Sequence, residues 1–142
     1  MPPPEYRISL DPAELQLDVI HGFLAASYWS PGIPRAAVAR AIQHSLVVGA
    51  YLGAEQVGFG RMITDHTSFG YLSDFFVLEP HQGRGLGRRM VRALLDLPDV
   101  QDFRLILLAT RDAHGVYRAC GFEPVANPGK FMEILRPGRY PQ

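Results

Sequence analysis

The stretch of this chain best suited to chemistry is Gln82-Gly83-Arg84-Gly85-Leu86-Gly87. It sits between an apolar run, Phe75-Phe76-Val77-Leu78, and a helical pattern from Arg88 to Leu95. Glycines at alternate positions let the backbone curl until successive N–H groups point into one small volume. The helix that follows adds its unpaired first-turn N–H groups and the positive end of its dipole. The ligand such a turn suits is an anion, and a pyrophosphate fits best. Two familiar phosphate loops do not match. A Walker A loop ends in Gly-Lys-Ser/Thr, whereas Gly87 is followed by Arg88-Arg89. A dinucleotide fingerprint needs a third small residue at position 90, which is Met90, and it follows an early strand of a βαβ unit.

The elements that must position this loop are legible on both sides of it. Glu5 to Leu10 reads as a first strand. Asp11-Pro12-Ala13-Glu14 reads as a helix start, with Asp11 as N-cap, Pro12 at the first helical position and Glu14 in capping-box position. Leu15, Val19, Phe23 and Leu17, Ile20, Leu24 then recur at helical spacing. After the break at Ser30-Pro31-Gly32-Ile33-Pro34, a second helix is expected from about Pro34 to Gln43. Leu46 to Leu52, Val57 to Ile63 and Tyr71 to Leu78 read as an antiparallel meander, turning at Gly53-Ala54-Glu55-Gln56 and at Asp65 to Gly70. Beyond the loop helix, Phe103 to Ala109 is a nearly continuous apolar strand of the kind buried on both faces. A short helix over about Asp112 to Ala119 and two last strands, Gly121 to Val125 and Lys130 to Leu135, complete the pattern. The order is β-α-α-β-β-β-α-β-α-β-β, an α/β domain around a mixed sheet, with one domain over residues 1–142.

Composition narrows the function classes. The 142 residues carry 14 Lys+Arg and 14 Asp+Glu, a formal net charge of zero, which argues against a general nucleic-acid binder. One cysteine, Cys120, permits no intramolecular disulfide, so a reducing cytoplasm is the default expectation. It is most simply a small packed residue before the Gly121 turn. The opening Met1-Pro2-Pro3-Pro4-Glu5 lacks the basic and apolar regions of a secretory leader. No apolar stretch approaches the ~20 residues that span a bilayer, and no metal site is expected.

The pattern Gln-x-x-Gly-x-Gly at Gln82–Gly87, after an apolar strand and opening a helix, resembles the acetyl-CoA signature of the GNAT superfamily of N-acetyltransferases. Val116-Tyr117-Arg118-Ala119-Cys120-Gly121-Phe122 is similar to that family's Leu-Tyr-x-x-x-Gly-Phe segment. One helix and one apolar strand separate the two, as in the family. The resemblance covers Tyr6 to Leu135 and implies a GNAT-like, mostly antiparallel central sheet flanked by helices.

It also implies roles. The pyrophosphate of CoA would lie on the backbone N–H groups of Gly83, Arg84, Gly85, Leu86, Gly87 and Arg88, with Gln82 at the loop entrance. The pantetheine arm would run along Phe76, Val77 and Leu78, where this strand splays from the next. One N–H there, that of Val77, would steady the developing oxyanion. Tyr117 would be the general acid for the departing thiolate; its plainer role is a core tyrosine. Asp74, an acid among apolar neighbours, would be either a base for the incoming ammonium or a carboxylate that binds the substrate's cation or a nearby arginine. Thr110 stands where the family often has Asn and would bond the pantetheine amide. Asp112 reads as an N-cap and His114 as an exposed helix histidine with the cofactor channel as its alternative. Arg84, Arg88 and Arg92 recur at i, i+4, i+8; one or two would reach CoA phosphates and the others form a solvated face.

Acceptor specificity would come from Tyr28-Trp29-Ser30-Pro31-Gly32-Ile33 and Asp65-His66-Thr67-Ser68. Tyr28 and Trp29 would either wall a site for a cationic amine or pack beneath the helix. The expected activity is acetyl transfer from acetyl-CoA to a primary amine of a small molecule, by direct attack in a ternary complex. The alternatives are a non-catalytic acyl-CoA-binding or sensor module and a protein N-acetyltransferase. Neither nucleic acid nor membrane is expected as a partner; the resemblance allows a homodimer, since pairing is common in such folds, but no residue here shows it.

Overall fold

The structure, a computed structural model, describes residues 5–140. Met1 to Pro4, read above as carrying no leader, lie outside them. Five strands form one sheet in the order β1-β2-β3-β4-β5: β1 (Tyr6–Ser9), β2 (Ser45–Leu52), β3 (Glu55–Thr64), β4 (Phe69–Val77) and β5 (Leu105–Leu108). The first three pairings are antiparallel and the last is parallel. That change of direction requires a crossover, supplied by α3 (Leu86–Leu95) and the short α4 (Pro98–Gln101). Helices α1 (Leu17–Ala25) and α2 (Arg35–Gln43) precede β2, and α5 (His114–Ala119) follows β5.

The helices divide into two layers because the strands present apolar side chains on both faces. Leu86, Met90, Val91 and Leu94 form the buried stripe of α3 and pack on Val48, Ala50, Val57, Met62 and Leu72. On the other face Ile20 and Leu24 of α1 and Val38 of α2 close over Val47, Phe59 and Phe76. Each fully buried aliphatic side chain of these sets contributes roughly 1.5–3 kcal/mol of transfer free energy.

The mixed, mostly antiparallel sheet agrees with the sequence reading; three details depart from it. Pro12–Glu14 forms only a single 3-10 turn, in which Asp11 accepts from the Ala13 N–H at 2.9 Å, and α1 begins five residues later. Glu14 closes no capping box; it pairs with Arg7 at 2.8 Å. The helix cannot run through this stretch because the Gln16 N–H is claimed by the buried Gln56 side chain at 2.7 Å, a tie across 40 residues of sequence. Secondly, β5 is a four-residue edge strand, half-buried along its length, rather than a strand covered on both faces. Thirdly, Gly121–Val125 and Lys130–Leu135 join no ladder. Pro124 has no N–H to donate, Pro128–Lys130 turns instead, and Met132, Ile134 and Leu135 find no face to bury against, remaining 97, 82 and 74% exposed.

One irregularity in β4 governs the rest of the molecule. Phe59 faces Phe76 and Arg61 faces Ser73, so Asp74 and Phe75 together oppose the single Gly60. This is a β-bulge, and Asp74 takes φ 62° to make it. The extra residue exchanges the faces of the strand. Leu72 packs toward α3, whereas Asp74 and Phe76 face α1 and α2. Phe75 is laid across Gly60, where any Cβ would collide with its ring. Gly60→Ala should therefore lower the unfolding free energy by about 1–3 kcal/mol, measured as a lower urea midpoint. An unchanged midpoint would mean the ring moves aside freely.

Candidate functional site

The glycine loop folds as a cradle. A 3-10 turn at Glu79–His81 ends β4, and Gln82 donates from its side-chain amide to the Val77 carbonyl at 2.9 Å, pinning the loop to the strand. Gly83 and Gly85 take φ 78° and 77°, and no protein atom lies within 4 Å of where their Cβ atoms would stand. Gly85 is the N-cap of α3 and has no side chain to satisfy the first-turn N–H groups, which leaves them directed at open space. The loop thus fits an anionic pyrophosphate by shape and by polarity.

The arginines around it divide. Arg84 lies before the helix, with its guanidinium 5.8 Å from the Tyr6 ring centre, and so is not on one helical face with Arg88 and Arg92. Arg89 reaches the Tyr6 carbonyl at 3.4 Å. Arg92 donates to the Ala119 carbonyl at 2.8 Å and so secures the end of α5, away from any phosphate. Arg88 is exposed beside the loop.

The strand leading to the loop offers one backbone donor. The Leu78 N–H bonds the Val57 carbonyl at 2.8 Å. By antiparallel alternation, the next pair, Gly58 and Val77, is not hydrogen-bonded, so the Val77 N–H points away from β3. On that side β5 pairs with β4 only from Phe69 to Leu72, and beyond Leu72 the two strands part. A channel of about 120 Å³ opens there, lined by Phe75, Phe76, Val77, Gly87, Met90 and Tyr117 among others.

A second, larger cleft of about 500 Å³ lies on the other side of the same opening. Tyr28, Trp29, Tyr71, Asp74, Thr110 and Arg111 line it, and Phe75, Ala113 and Tyr117 border both spaces. Tyr117 stands at the junction. Its ring meets Phe75 and Phe122 edge-on at 6.5 and 6.0 Å. Burial, with a smaller contribution from Cys120 and Tyr28, raises its phenol pKa above the ordinary 10.0. The phenol therefore keeps its proton throughout the neutral range.

Tyr28 and Trp29 are exposed on the cleft rim rather than packed beneath α1. Ser27 orders the turn that carries them: its hydroxyl donates to the Leu24 carbonyl at 2.7 Å and accepts the Ser30 N–H at 3.1 Å. The Arg111 guanidinium stacks 3.7 Å from the Tyr28 ring centre. Asp74 is 7% exposed, and both its oxygens are in use: Oδ2 accepts from Arg61 Nε at 2.7 Å and Oδ1 from Trp29 Nε1 at 2.8 Å. Of the two roles read for Asp74, this is the geometry of a carboxylate held by an arginine.

Other residues fall elsewhere. The Thr110 hydroxyl accepts the Ala113 N–H at 3.1 Å and so closes the turn before α5, the task expected of Asp112. His114 is exposed, and Cys120 is half-buried against the Arg88 carbonyl. Asp65 accepts from the N–H groups of Thr67, Ser68 and Phe69 and from the Ser68 hydroxyl, which holds its carboxyl well below the usual range. Residues 65–68 order their own turn and do not line the cleft. Sequence reading overlooked Arg61 and Arg111. Arg61 carried a signal: it shares the strand parity of Phe59, so a charge on that face required a buried partner. Among the described residues, no group of His, Cys, Asp and Glu could hold a metal ion, and no helix is long and apolar enough to cross a membrane.

Comparison with known proteins agrees with this geometry. Residues 15–122 match the acetyltransferase (GNAT) family. A candidate acetyltransferase from Gibberella zeae is 35% identical over 129 residues, covering 76% of this chain and 73% of that protein. A candidate GNAT-family acetyltransferase from Xanthomonas campestris pv. campestris, known by crystal structure, superposes with a TM-score of 0.92 at 41% identity. That match covers 98% of this chain and 99% of the other. A candidate acetyltransferase from Clostridium acetobutylicum, solved with acetyl-CoA, shares the fold with a TM-score of 0.66 at 14% identity, over 92% of this chain and 95% of that one. With the family match spanning both the glycine loop and the Tyr117 segment, this chain belongs to the GNAT family of acetyltransferases.

Proposed function

We propose that this protein transfers an acetyl group from acetyl-CoA to a primary amine of a small molecule, directly, with both substrates bound. The observation that carries the reading is the position of Tyr117, on the border between a narrow channel that starts at the glycine loop and an aromatic cleft beyond it. Acetyl-CoA, when bound, supplies an activated thioester. The loop N–H groups from Gly83 to Arg88 hold its pyrophosphate, and the wall of Phe76, Val77 and Leu78 receives its pantetheine arm. The outward Val77 N–H is the donor aimed at the developing oxyanion. Tyr117 holds a proton at its phenol oxygen for the departing thiolate. Trp29 offers a ring face to a cationic amine, and Tyr28, one face of which is covered by Arg111, walls the cleft beside it. Asp74 has its carboxylate committed to Arg61 and Trp29, so the ammonium proton leaves through water.

The test is to incubate the protein with acetyl-CoA and a panel of primary amines while following free thiol. Thiol release matched by N-acetylated product is expected. CoA binding without release across the panel would instead identify an acyl-CoA-binding module. Gly85→Val, at φ 77°, adds backbone strain and sets a branched side chain in the anion's place. It should weaken CoA binding by at least ~10-fold in calorimetric titration, and an unchanged Kd would remove the loop from this role. Tyr117→Phe should lower kcat by roughly 100-fold or more, the range of a lost general acid. Because burial raises this phenol's pKa, wild-type activity should show no loss of the acid until pH passes the ordinary tyrosine value of 10.0. A Phe variant with wild-type kcat, or an alkaline limb near neutrality that the Phe variant abolishes, would contradict the assignment.

A further inference from the structure

Trp29 is 39% exposed on a turn, yet its indole is tethered, and the tether runs deep into the protein. The indole Nε1–H donates to Asp74 Oδ1 at 2.8 Å, and Arg61 Nε donates to Asp74 Oδ2 at 2.7 Å. A further guanidinium nitrogen of Arg61 donates to Ser45 Oγ at 3.1 Å, and Ser45 donates to the Ala41 carbonyl near the end of α2 at 2.7 Å. The chain of bonds thus links the floor of the α1/α2 layer to one side chain at the cleft rim. Its two charged members are 15% and 7% exposed. Such a pair gains little net stability over an apolar pair of the same volume, so the fold does not require it for packing.

We propose that Arg61 and Asp74 are positioning residues: their buried ion pair fixes the Trp29 indole as a wall of the acceptor cleft and so sets the KM for the acceptor, not the rate of the chemical step. This rests on the reading of that cleft as the acceptor site. The β4 bulge makes the arrangement, because only the face exchange at Asp74 turns the carboxylate toward Arg61 and the turn after α1. The class of residue this assigns is specificity-determining. An indole held edge-on by its N–H presents a fixed face to the substrate, whereas an untethered one samples several rotamers.

The chain's single tryptophan makes the test direct, because intrinsic indole fluorescence reports Trp29 alone. In the double variant Arg61→Met/Asp74→Leu, both charges go and volume is kept. Acrylamide should quench the indole more efficiently than in wild type, the acceptor KM should rise roughly tenfold, kcat should stay within about threefold, and the acetyl-CoA KM should be unchanged. Trp29→Phe, which keeps a ring but loses the N–H and leaves the buried pair intact, should raise the acceptor KM to a similar extent. Arg61→Lys keeps a cation beside Asp74 and leaves Oδ1 for the indole N–H, and should recover most of the wild-type acceptor KM. The acceptor used is whichever amine of the panel wild type turns over fastest. Unchanged quenching in the double variant would overturn the proposal. So would a fall in kcat of ~100-fold or more in the double variant beside normal kcat in Trp29→Phe, the pattern of a general base. If the double variant does not fold, Trp29→Phe decides: a wild-type acceptor KM there overturns the proposal. If wild type acetylates no amine, the proposed function fails separately, and the quenching comparison still shows whether the pair holds the indole.

Discussion

A single inserted residue in β4 is the constraint on which the rest of this structure depends. Without the bulge at Asp74 the alternation of β4 would put Asp74 on the same face as Leu72, toward α3 and away from Arg61. With it, the carboxylate meets Arg61 beneath α1 and α2, Phe75 lies over Gly60, and Phe76 stacks on Phe23 at 4.1 Å. The left-handed φ of Asp74 carries a steric penalty of about 1–2 kcal/mol. The ion pair and the indole hydrogen bond are available only in this conformation.

The same irregularity separates two tasks that must meet at one point. The α3 layer carries the donor loop, because a helix whose first turn is uncapped and whose N-terminus abuts two left-handed glycines presents backbone N–H groups to an anion. The α1/α2 layer carries the aromatic rim, because the Ser27 turn thrusts Tyr28 and Trp29 past the end of α1. β4 runs between the layers, and its parting from β5 after Leu72 leaves the opening in which both spaces border on Tyr117. On the proposed function, donor recognition is mostly backbone and acceptor recognition mostly side chain. A glycine pattern suffices to find the first, while the second depends on which long-range contacts hold each ring.

That division explains what was legible in the sequence. The meander, the crossover helix and the loop could be read because each follows from local periodicity and turn chemistry. Tyr117 could be placed through the resemblance of its segment, Val116 to Phe122, to a family motif. The bulge could not, since Tyr71 to Leu78 reads equally well as an unbroken strand, and the hints were only a charge at Arg61 on an otherwise apolar face and the acid Asp74 among apolar neighbours. The start of α1 was misplaced for a related reason: Asp11-Pro12-Ala13-Glu14 satisfies every local rule for a helix start, but Gln56 takes the Gln16 N–H from 40 residues away. The expected C-terminal strands failed on partners rather than propensity. Phe131 to Leu135 has the composition of a strand and, among the described residues, no ladder to join.

If one phenol serves both substrates at the border between two spaces, a crystal structure with CoA bound will show it. The pyrophosphate should lie on the N–H groups of Gly83 to Arg88, the arm between β4 and β5, and the sulfur within about 3.5 Å of the Tyr117 hydroxyl. A sulfur that lies on the far side of β5, or a CoA that bypasses the glycine loop, would contradict it.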